Sequence, residues 1–217
     1  MDTNIGAKER VTQNRLIGLF KNVLKYTCLG NWETREGNAN IEETLLTAYL
    51  SRRGYTDKEI RSAIAKFKQA ANSLGGGLYN ANKEVYTLLR YGVNVQAEVT
   101  EKKKMVHLID WANPMENDFQ IAEEVTIQGE SDRRPDLVVY VNGIALAVIE
   151  LKRSTVSAHE GIRQNIRNQQ DGYIPRFFTT IQLLFAGNDT EGLHYGVIKT
   201  PEKFWLRWKE PCGEPCK

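Results

Sequence analysis

The sequence predicts an α/β protein in which a mixed central β-sheet is flanked by helices. In the first part of the chain, apolar residues recur at intervals of three and four, the spacing of amphipathic helices. From Val93 onward, apolar and polar residues alternate as in strands. The two most apolar runs, LVVYV and IALAVI, are separated only by Asn142-Gly143 and are typical of central strands. We therefore divide the 217 residues into a mainly helical region, 1–92, packed on a sheet core, 93–217.

Four helices are predicted in the first region, at about 8–25, 40–53, 56–74 and 82–91. We expect Asn40 to cap the second helix and Gly54 to end it in a left-handed conformation. Thr56 and Glu59 have the spacing of a capping box for the third helix. Gly92 is expected to close the fourth. No strand is predicted in this region.

The core is predicted to contain seven strands and one helix. The strands lie at about 93–99, 105–111, 119–127, 137–141, 144–149, 181–186 and 193–199. The helix, 158–171, follows the two apolar strands, and Gly187-Asn188-Asp189 is expected to form a turn. The order strand, strand, helix, strand is that of a compact α/β core.

Composition and charge narrow the possible functions. A net charge of +2 gives no overall basic field, so any DNA contact must come from local clusters such as Lys152-Arg153, and Arg153 is a candidate contact. No apolar run reaches the ~20 residues of a membrane span. No phosphate-binding Gly-x4-Gly-Lys-Ser/Thr loop is present, so we expect no ATP site within this chain. Three cysteines without a secretory segment fit a cytoplasmic protein.

Acidic residues at the ends of the two apolar strands indicate a metal site. Asp136 opens the first strand, Glu150 closes the second, and Lys152 lies two residues further on the same face. Two converging carboxylates repel each other unless a cation such as Mg²⁺ or Mn²⁺ lies between them. The backbone carbonyl of Leu151 is the natural third protein ligand. Lys152 would orient or deprotonate an attacking water and offset charge on a phosphorane, which predicts phosphodiester hydrolysis.

The strand register decides whether the two acids can meet. A two-residue turn at Asn142-Gly143 would pair Asp136 with Ile149 and turn Asp136 away from Glu150. We therefore predict a bulge, or a three-residue loop, that brings Asp136 opposite Glu150. The alternative is an ordinary sheet edge, on which Asp136 pairs with a preceding arginine and Glu150 pairs with Lys152.

Gln169 and Tyr173 are four residues apart on the predicted helix and would share one face. Both can donate a hydrogen bond to phosphate or hold the lysine. The alternative is a polar surface glutamine and a half-buried tyrosine near the helix end.

The segment RPDLVVYVNGIALAVIELK, followed by QQDGY, resembles the PD-(D/E)xK nuclease motif with its Q-x3-Y extension. The form of the motif is that found at the N-terminus of type I restriction enzyme R subunits. The segments ERVTQNRLIGLFKNVLKYTCLGNW, NIEETLLTAYLSRRGY, LLRYGVNVQ and LIDWANPMENDF resemble the same family. The resemblance therefore covers nearly the whole chain.

The resemblance implies a restriction-endonuclease-like fold, with Asp136 and Glu150 as metal ligands and Lys152 as the catalytic lysine. Gln169 and Tyr173 would be an accessory pair that supports cleavage and DNA engagement. Many relatives of this nuclease fold carry a further acid on an early helix, for which Glu9 and Glu84 are candidates.

In the family, an ATP-driven translocase follows the nuclease domain, and the R subunit acts on double-stranded DNA together with modification and specificity subunits. The present sequence ends at Lys217 before any motor motif, so we expect an N-terminal fragment. Two other functions stay open. One is a non-catalytic DNA-binding or subunit-docking module, which would not need a metal. The other is a stand-alone repair-type nuclease, which would not need the helical region.

Overall fold

A computed structural model describes residues 5–96 and 102–209. The helices are α1 (Ile5–Asn22), α2 (Glu43–Arg52), α3 (Asp57–Asn72), α4 (Leu78–Tyr91) and α5 (Ala158–Asn168). The strands are β1 (Thr27–Asn31), β2 (Val93–Val95), β3 (Lys104–Val106), β4 (Phe119–Glu123), β5 (Leu137–Val141), β6 (Ile144–Leu151), β7 (Leu183–Asn188), β8 (Gly192–Gly196) and β9 (Leu206–Arg207). Among these described helices, none has the length and apolar character needed to cross a membrane.

A mixed sheet of seven strands forms the centre of the fold, in the order β1-β4-β5-β6-β7-β8-β9. Strand β1 is parallel to β4, and β6 is parallel to β7, while the other neighbours are antiparallel. The apolar strands β5 and β6 lie in the middle, as their composition predicts. The predicted α/β fold with a mixed sheet and flanking helices is thus confirmed.

Helices cover both faces of this sheet. On one face, Ile162 of α5 packs in a core cluster with Val148 of β6. On the other face, Leu16, Ile17 and Phe20 of α1 pack against a cluster that contains Ile149 and Leu151 of β6. Successive residues of β6 therefore face different layers. Helices α2, α3 and α4 form a second body around their own apolar cluster, together with the β2–β3 ribbon.

The hairpin of β5 and β6 contains the predicted bulge. Asn142 and Gly143 have φ values of 54° and 79°, as a two-residue turn requires, and Val141 pairs with Ile144. The register then shifts between Tyr140↔Ala145 and Val139↔Ala147, which leaves Leu146 as the extra residue. Leu137 consequently pairs with Ile149. Extending this register by one residue would place Asp136 opposite Glu150, as required for the two acids to meet.

Several local predictions in the helical region are confirmed. Thr56 and Glu59 form a reciprocal capping box at the start of α3. Gly54 and Gly92 have φ values of 81° and 89° after α2 and α4. The predicted cap by Asn40 is wrong, because α2 begins at Glu43 and Asn40 donates instead to the carbonyl of Arg176.

The predicted absence of strands from the first region is also wrong. Strand β1 (Thr27–Asn31) forms one edge of the central sheet. Its sequence, TCLGN, has no alternation to reveal it, and its pairing with β4 is a tertiary contact. The proposed boundary between 1–92 and 93–217 stays a prediction, but the seven-stranded sheet takes β1 from the first region and its other six strands from the second.

Several element ends in the core differ from the prediction. Helix α5 ends at Asn168 rather than Asp171, and β7 runs from Leu183 to Asn188, so the predicted turn at 187–189 starts later. Strand β4 ends at Glu123, and Ile127 forms only an isolated bridge with Arg133. Of the first predicted hairpin, 93–95 and 104–106 are strands, whereas Ala97 and Val99 lie outside the described residues.

Candidate active site

The end of the β5–β6 hairpin brings Asp136 to the backbone of β6. Asp136 directly precedes β5 and is half-buried. Its carboxylate oxygen Oδ2 accepts a hydrogen bond of 2.6 Å from the backbone N–H of Leu151. This bond ties the start of one central strand to the end of the next and fixes the carboxylate beside Glu150.

Glu150 is fully buried at the end of β6, with a relative exposure of 0%. Its oxygen Oε2 accepts a hydrogen bond of 2.7 Å from the side-chain amide of Gln164 in α5. Its other oxygen, Oε1, has no hydrogen-bond partner among the described residues. A buried carboxylate oxygen without a partner is costly in free energy, so this atom is available to a ligand that carries positive charge or a donor.

The electrostatics of the two acids follow from this arrangement. Burial raises the pKa of Asp136 to about 6, although the Leu151 N–H and the charge of Lys152 lower it. Burial also raises the pKa of Glu150 well above its usual range, and the negative charge of Asp136 raises it further. When both carboxyls are ionised, their negative charges repel each other. A bound cation would offset this repulsion and so favour ionisation of both groups.

Lys152 lies just beyond β6 and is half-buried. Its positive charge lowers the pKa of both Asp136 and Glu150. Within the described part of the chain, no ion pair of 4.0 Å or less joins Lys152 to either acid. Arg134 pairs instead with Glu33 and Glu124, which removes it as a partner for Asp136. The arrangement is therefore not the set of strand-end ion pairs that was the alternative reading of the sequence.

Helix α1 brings one further acid to this end of the sheet. The charge of Glu9 raises the pKa of both Asp136 and Glu150. The other candidate, Glu84, is exposed on α4, whose buried residues Val85 and Leu89 pack in the separate helical cluster. Its electrostatic effect on both acids makes Glu9 a better candidate than Glu84 for the additional acid.

The donor set suits a hard cation. Two carboxylates, one with an unpartnered buried oxygen, meet beside the backbone of Leu151, and oxygen donors of this kind are those that Mg²⁺ takes. Across residues 5–96 and 102–209, no three histidine, cysteine, aspartate or glutamate side chains are arranged to hold a metal ion. An ion here would therefore need the Leu151 carbonyl, water or a phosphate oxygen to complete its coordination.

Among the described residues, neither Gln169 nor Tyr173 has a hydrogen bond to Asp136 or Glu150. Gln169 follows the last residue of α5 and is 2% exposed; its amide donates to the Asn165 carbonyl, and its oxygen accepts from the Lys199 N–H. Tyr173 lies in the loop beyond, so the expectation that the two share one helical face is wrong. The Tyr173 ring stacks with the Arg133 guanidinium at 4.2 Å. Arg153 is half-buried in the turn after β6.

Gln164 is the residue that sequence analysis missed. It stands five positions before Gln169, and α5 presents it to Glu150 because Gly161 allows a close approach. A Cβ atom at Gly161 would lie 3.1 Å from the Ala186 Cβ and 3.5 Å from the Glu150 Cβ. The sequence feature that could have identified Gln164 is its spacing from Gly161. Residues three apart in a helix are neighbours on one face, so a small residue and an amide lie side by side there.

Comparison with known proteins identifies the family of the chain. The family model described as the type I restriction enzyme R protein N terminus matches residues 7–203. A proposed type I restriction enzyme endonuclease subunit of Methanocaldococcus jannaschii is 29% identical over 154 residues, which are 67% of this chain and 14% of that protein. A type I restriction enzyme endonuclease subunit of Staphylococcus saprophyticus is 30% identical over 133 residues, 61% of this chain and 13% of that protein.

These matches occupy only a small part of each relative, 14% and 13% of its length. The family model, in contrast, covers most of the present chain. The chain therefore belongs to the family of N-terminal regions of type I restriction enzyme R proteins.

Proposed function

We propose that this chain is the metal-dependent endonuclease domain of a type I restriction enzyme R subunit, and that it hydrolyses phosphodiester bonds of double-stranded DNA. The observation that carries the proposal is the pairing of Asp136 with the end of β6, which sets two carboxylates beside Lys152. The names of the relatives as endonuclease subunits support it.

Each residue has a distinct part in this proposal. Asp136, Glu150 and the carbonyl of Leu151 would hold Mg²⁺ or Mn²⁺, and Glu9 adds negative charge beside them. The bound ion would supply Lewis-acid stabilisation of the negatively charged phosphate oxygens. Lys152 positions the attacking water and offsets the charge that develops on phosphorus. Gln164 donates to one oxygen of Glu150, and the other oxygen, which has no partner among the described residues, would be the one to hold the ion.

Partners and location follow from the family. We propose that the chain acts within a longer R subunit that meets modification and specificity subunits in the cytoplasm, and that those partners recognise the DNA sequence. Gln169, Tyr173 and Arg153 are proposed as accessory residues. Tyr173 and Arg153 have side chains that are partly accessible for contact with DNA, whereas Gln169 is buried.

The test of this function is nicking of supercoiled plasmid by the 217-residue chain with Mg²⁺ or Mn²⁺. We expect the wild type to nick the plasmid, Lys152→Ala to nick none, and both to melt at the same temperature. Lys83→Ala is the matched control, because Lys83 is an exposed lysine on α4. Nicking by Lys152→Ala at the wild-type rate would remove the lysine from the site. A wild type that nicks nothing with either metal would favour the docking module.

A further inference from the structure

Helix α1 crosses the end of the sheet that carries the two acids. On one side, Arg10 forms ion pairs with Glu123, the last residue of β4, and with Glu124, the residue after it, at 3.1 and 3.4 Å. On the other side, the Thr12 hydroxyl donates to Asp189 after β7 at 2.7 Å, and Arg15 pairs with the same carboxylate. Strands β5 and β6 lie between β4 and β7 in the sheet. The first half of α1 therefore spans the strand ends where Asp136 and Lys152 lie.

Among the described side chains of this helix, Gln13 is a buried polar group with an unpaired atom. Gln13 is 3% exposed, and its amide nitrogen Nε2 has no hydrogen-bond partner among the described residues. A buried, unpaired amide donor is unfavourable by the cost of removing it from water, so such groups in folded proteins usually have a partner, often a bound water.

The position of Gln13 on the helix indicates where that partner lies. Glu9, one turn earlier on the same face, is close enough to the acid pair to raise both pKa values. Ile17, one turn later, packs with the cluster that contains Leu151. Gln13 therefore lies between a residue whose charge acts on the acid pair and a residue that packs on the cluster containing Ile149 and Leu151, which points to the end of β6 as its neighbour. An unpaired acceptor, Glu150 Oε1, is also present at this strand end.

We propose that Gln13 is a further positioning residue, whose Nε2 donates a hydrogen bond to the water that attacks the phosphate. The inference rests on the proposed nuclease function. The Gln13 amide is buried too deeply to contact a larger ligand, but a water molecule is small enough to reach it. The hydrogen bond from Nε2 orients this water so that a lone pair points toward phosphorus. In the reaction the water oxygen bonds to phosphorus while the bond to the leaving oxygen breaks. The water loses a proton to solvent, and the leaving oxygen gains one.

The test compares Gln13→Leu and Gln13→Glu with wild type, because both remove the amide donor at nearly constant size. Asn14→Leu is the matched control on the outer face of α1, where Asn14 is exposed. Three quantities are measured: single-turnover cleavage at saturating DNA, affinity for a short DNA duplex in EDTA, and melting temperature. We expect cleavage to fall about tenfold or more in both variants, as for loss of one hydrogen bond in a reacting complex, with affinity changed less than about twofold.

The melting temperature separates positioning from packing. Because the amide is unpaired within the chain, Gln13→Leu should melt at or above the wild-type temperature. Wild-type cleavage in Gln13→Leu would overturn the proposal, and so would slow cleavage accompanied by a clear loss of thermal stability. If wild type cuts DNA and only the Gln13 role fails, the nuclease function stands. If wild type cuts no DNA, the nuclease function fails and this inference fails with it.

Discussion

The carboxylate of Asp136 accepts a hydrogen bond of 2.6 Å from the backbone N–H of Leu151. This contact exists because Leu146 is an extra residue in β6 and shifts the register by one. Without that shift, the two-residue turn at Asn142-Gly143 would place Ile149 opposite Asp136 and turn the acid to the α1 face. The bulge therefore converts an ordinary apolar hairpin into a strand end with two carboxylates on one face.

The acid pair should destabilise the metal-free chain at neutral pH. The pKa of Asp136 is raised to about 6 in the folded chain, above its value in the unfolded chain. At pH values below the pKa of the unfolded state, the protonated Asp136 carboxyl stabilises the folded chain relative to its ionised form. This stabilisation is lost as the pH rises through 6, because the carboxyl then ionises in the folded chain. We therefore expect Asp136→Asn to have the same melting temperature as wild type near pH 4 and a higher melting temperature than wild type at pH 7. Thermal scans in EDTA measure both. An equal difference at both pH values would contradict the raised pKa.

Removal of the side-chain amide should have different effects at Gln164 and at Gln169. Gln164→Leu removes the donor that holds Glu150, so we expect cleavage to fall about ten- to a hundredfold, as for a hydrogen bond to a charged group. Gln169→Leu leaves the Lys199 N–H unpaired, which should cost about 1–3 kcal/mol of unfolding free energy. Plasmid nicking and thermal melting of both variants measure the two effects. A larger loss of cleavage in Gln169→Leu, without a loss of stability, would reverse these assignments.

The close approach of α5 to the sheet should be sensitive to a side chain at Gly161. In Gly161→Val, the added Cβ alone would lie 3.1 Å from the Ala186 Cβ, and the two methyl groups need further space, so α5 must move outward and carry Gln164 away from Glu150. Overpacking of this kind costs about 1–3 kcal/mol. We expect a lower melting temperature and slower cleavage.

Gly18→Ala is the control for a glycine replacement in a helix. In α1, a Cβ at Gly18 would meet only the Asn22 side chain, at 3.9 Å. We expect this variant to melt at or above the wild-type temperature, because alanine favours helix more than glycine does. If Gly161→Val were as stable and active as wild type, the contact of α5 with β6 would not determine the position of Gln164.

The features of the fold and the site that depend on local chemistry could be predicted from the sequence. The bulge could be predicted because the turn residues fix one end of the hairpin and the need for Asp136 to face Glu150 fixes the other. The capping box at Thr56 and the glycine at Gly54 are similarly local, since each satisfies a backbone group within a few residues.

Tertiary contacts explain the predictions that failed. Strand β1 is defined by its pairing with β4, almost a hundred positions away, and not by its own pattern. The choice of Gln164 rather than Gln169 depends on how α5 is rotated on the sheet, which Gly161 determines by its contact with Ala186. The approach of Glu9 to the acid pair depends on ion pairs that hold α1 across the strand ends. None of these relations is visible in the spacing of residues along the chain.

The most direct test of the proposed site is calorimetric titration of the 217-residue chain with Mg²⁺ at pH 7, compared with Asp136→Ala and Glu150→Ala. Glu84→Ala serves as the control, because Glu84 is an exposed acid on another helix. We expect wild type and Glu84→Ala to bind the ion alike, and both site variants to lose binding. Equal Mg²⁺ binding by all four proteins, or binding by none of them even with a DNA duplex present, would contradict a metal site at Asp136 and Glu150.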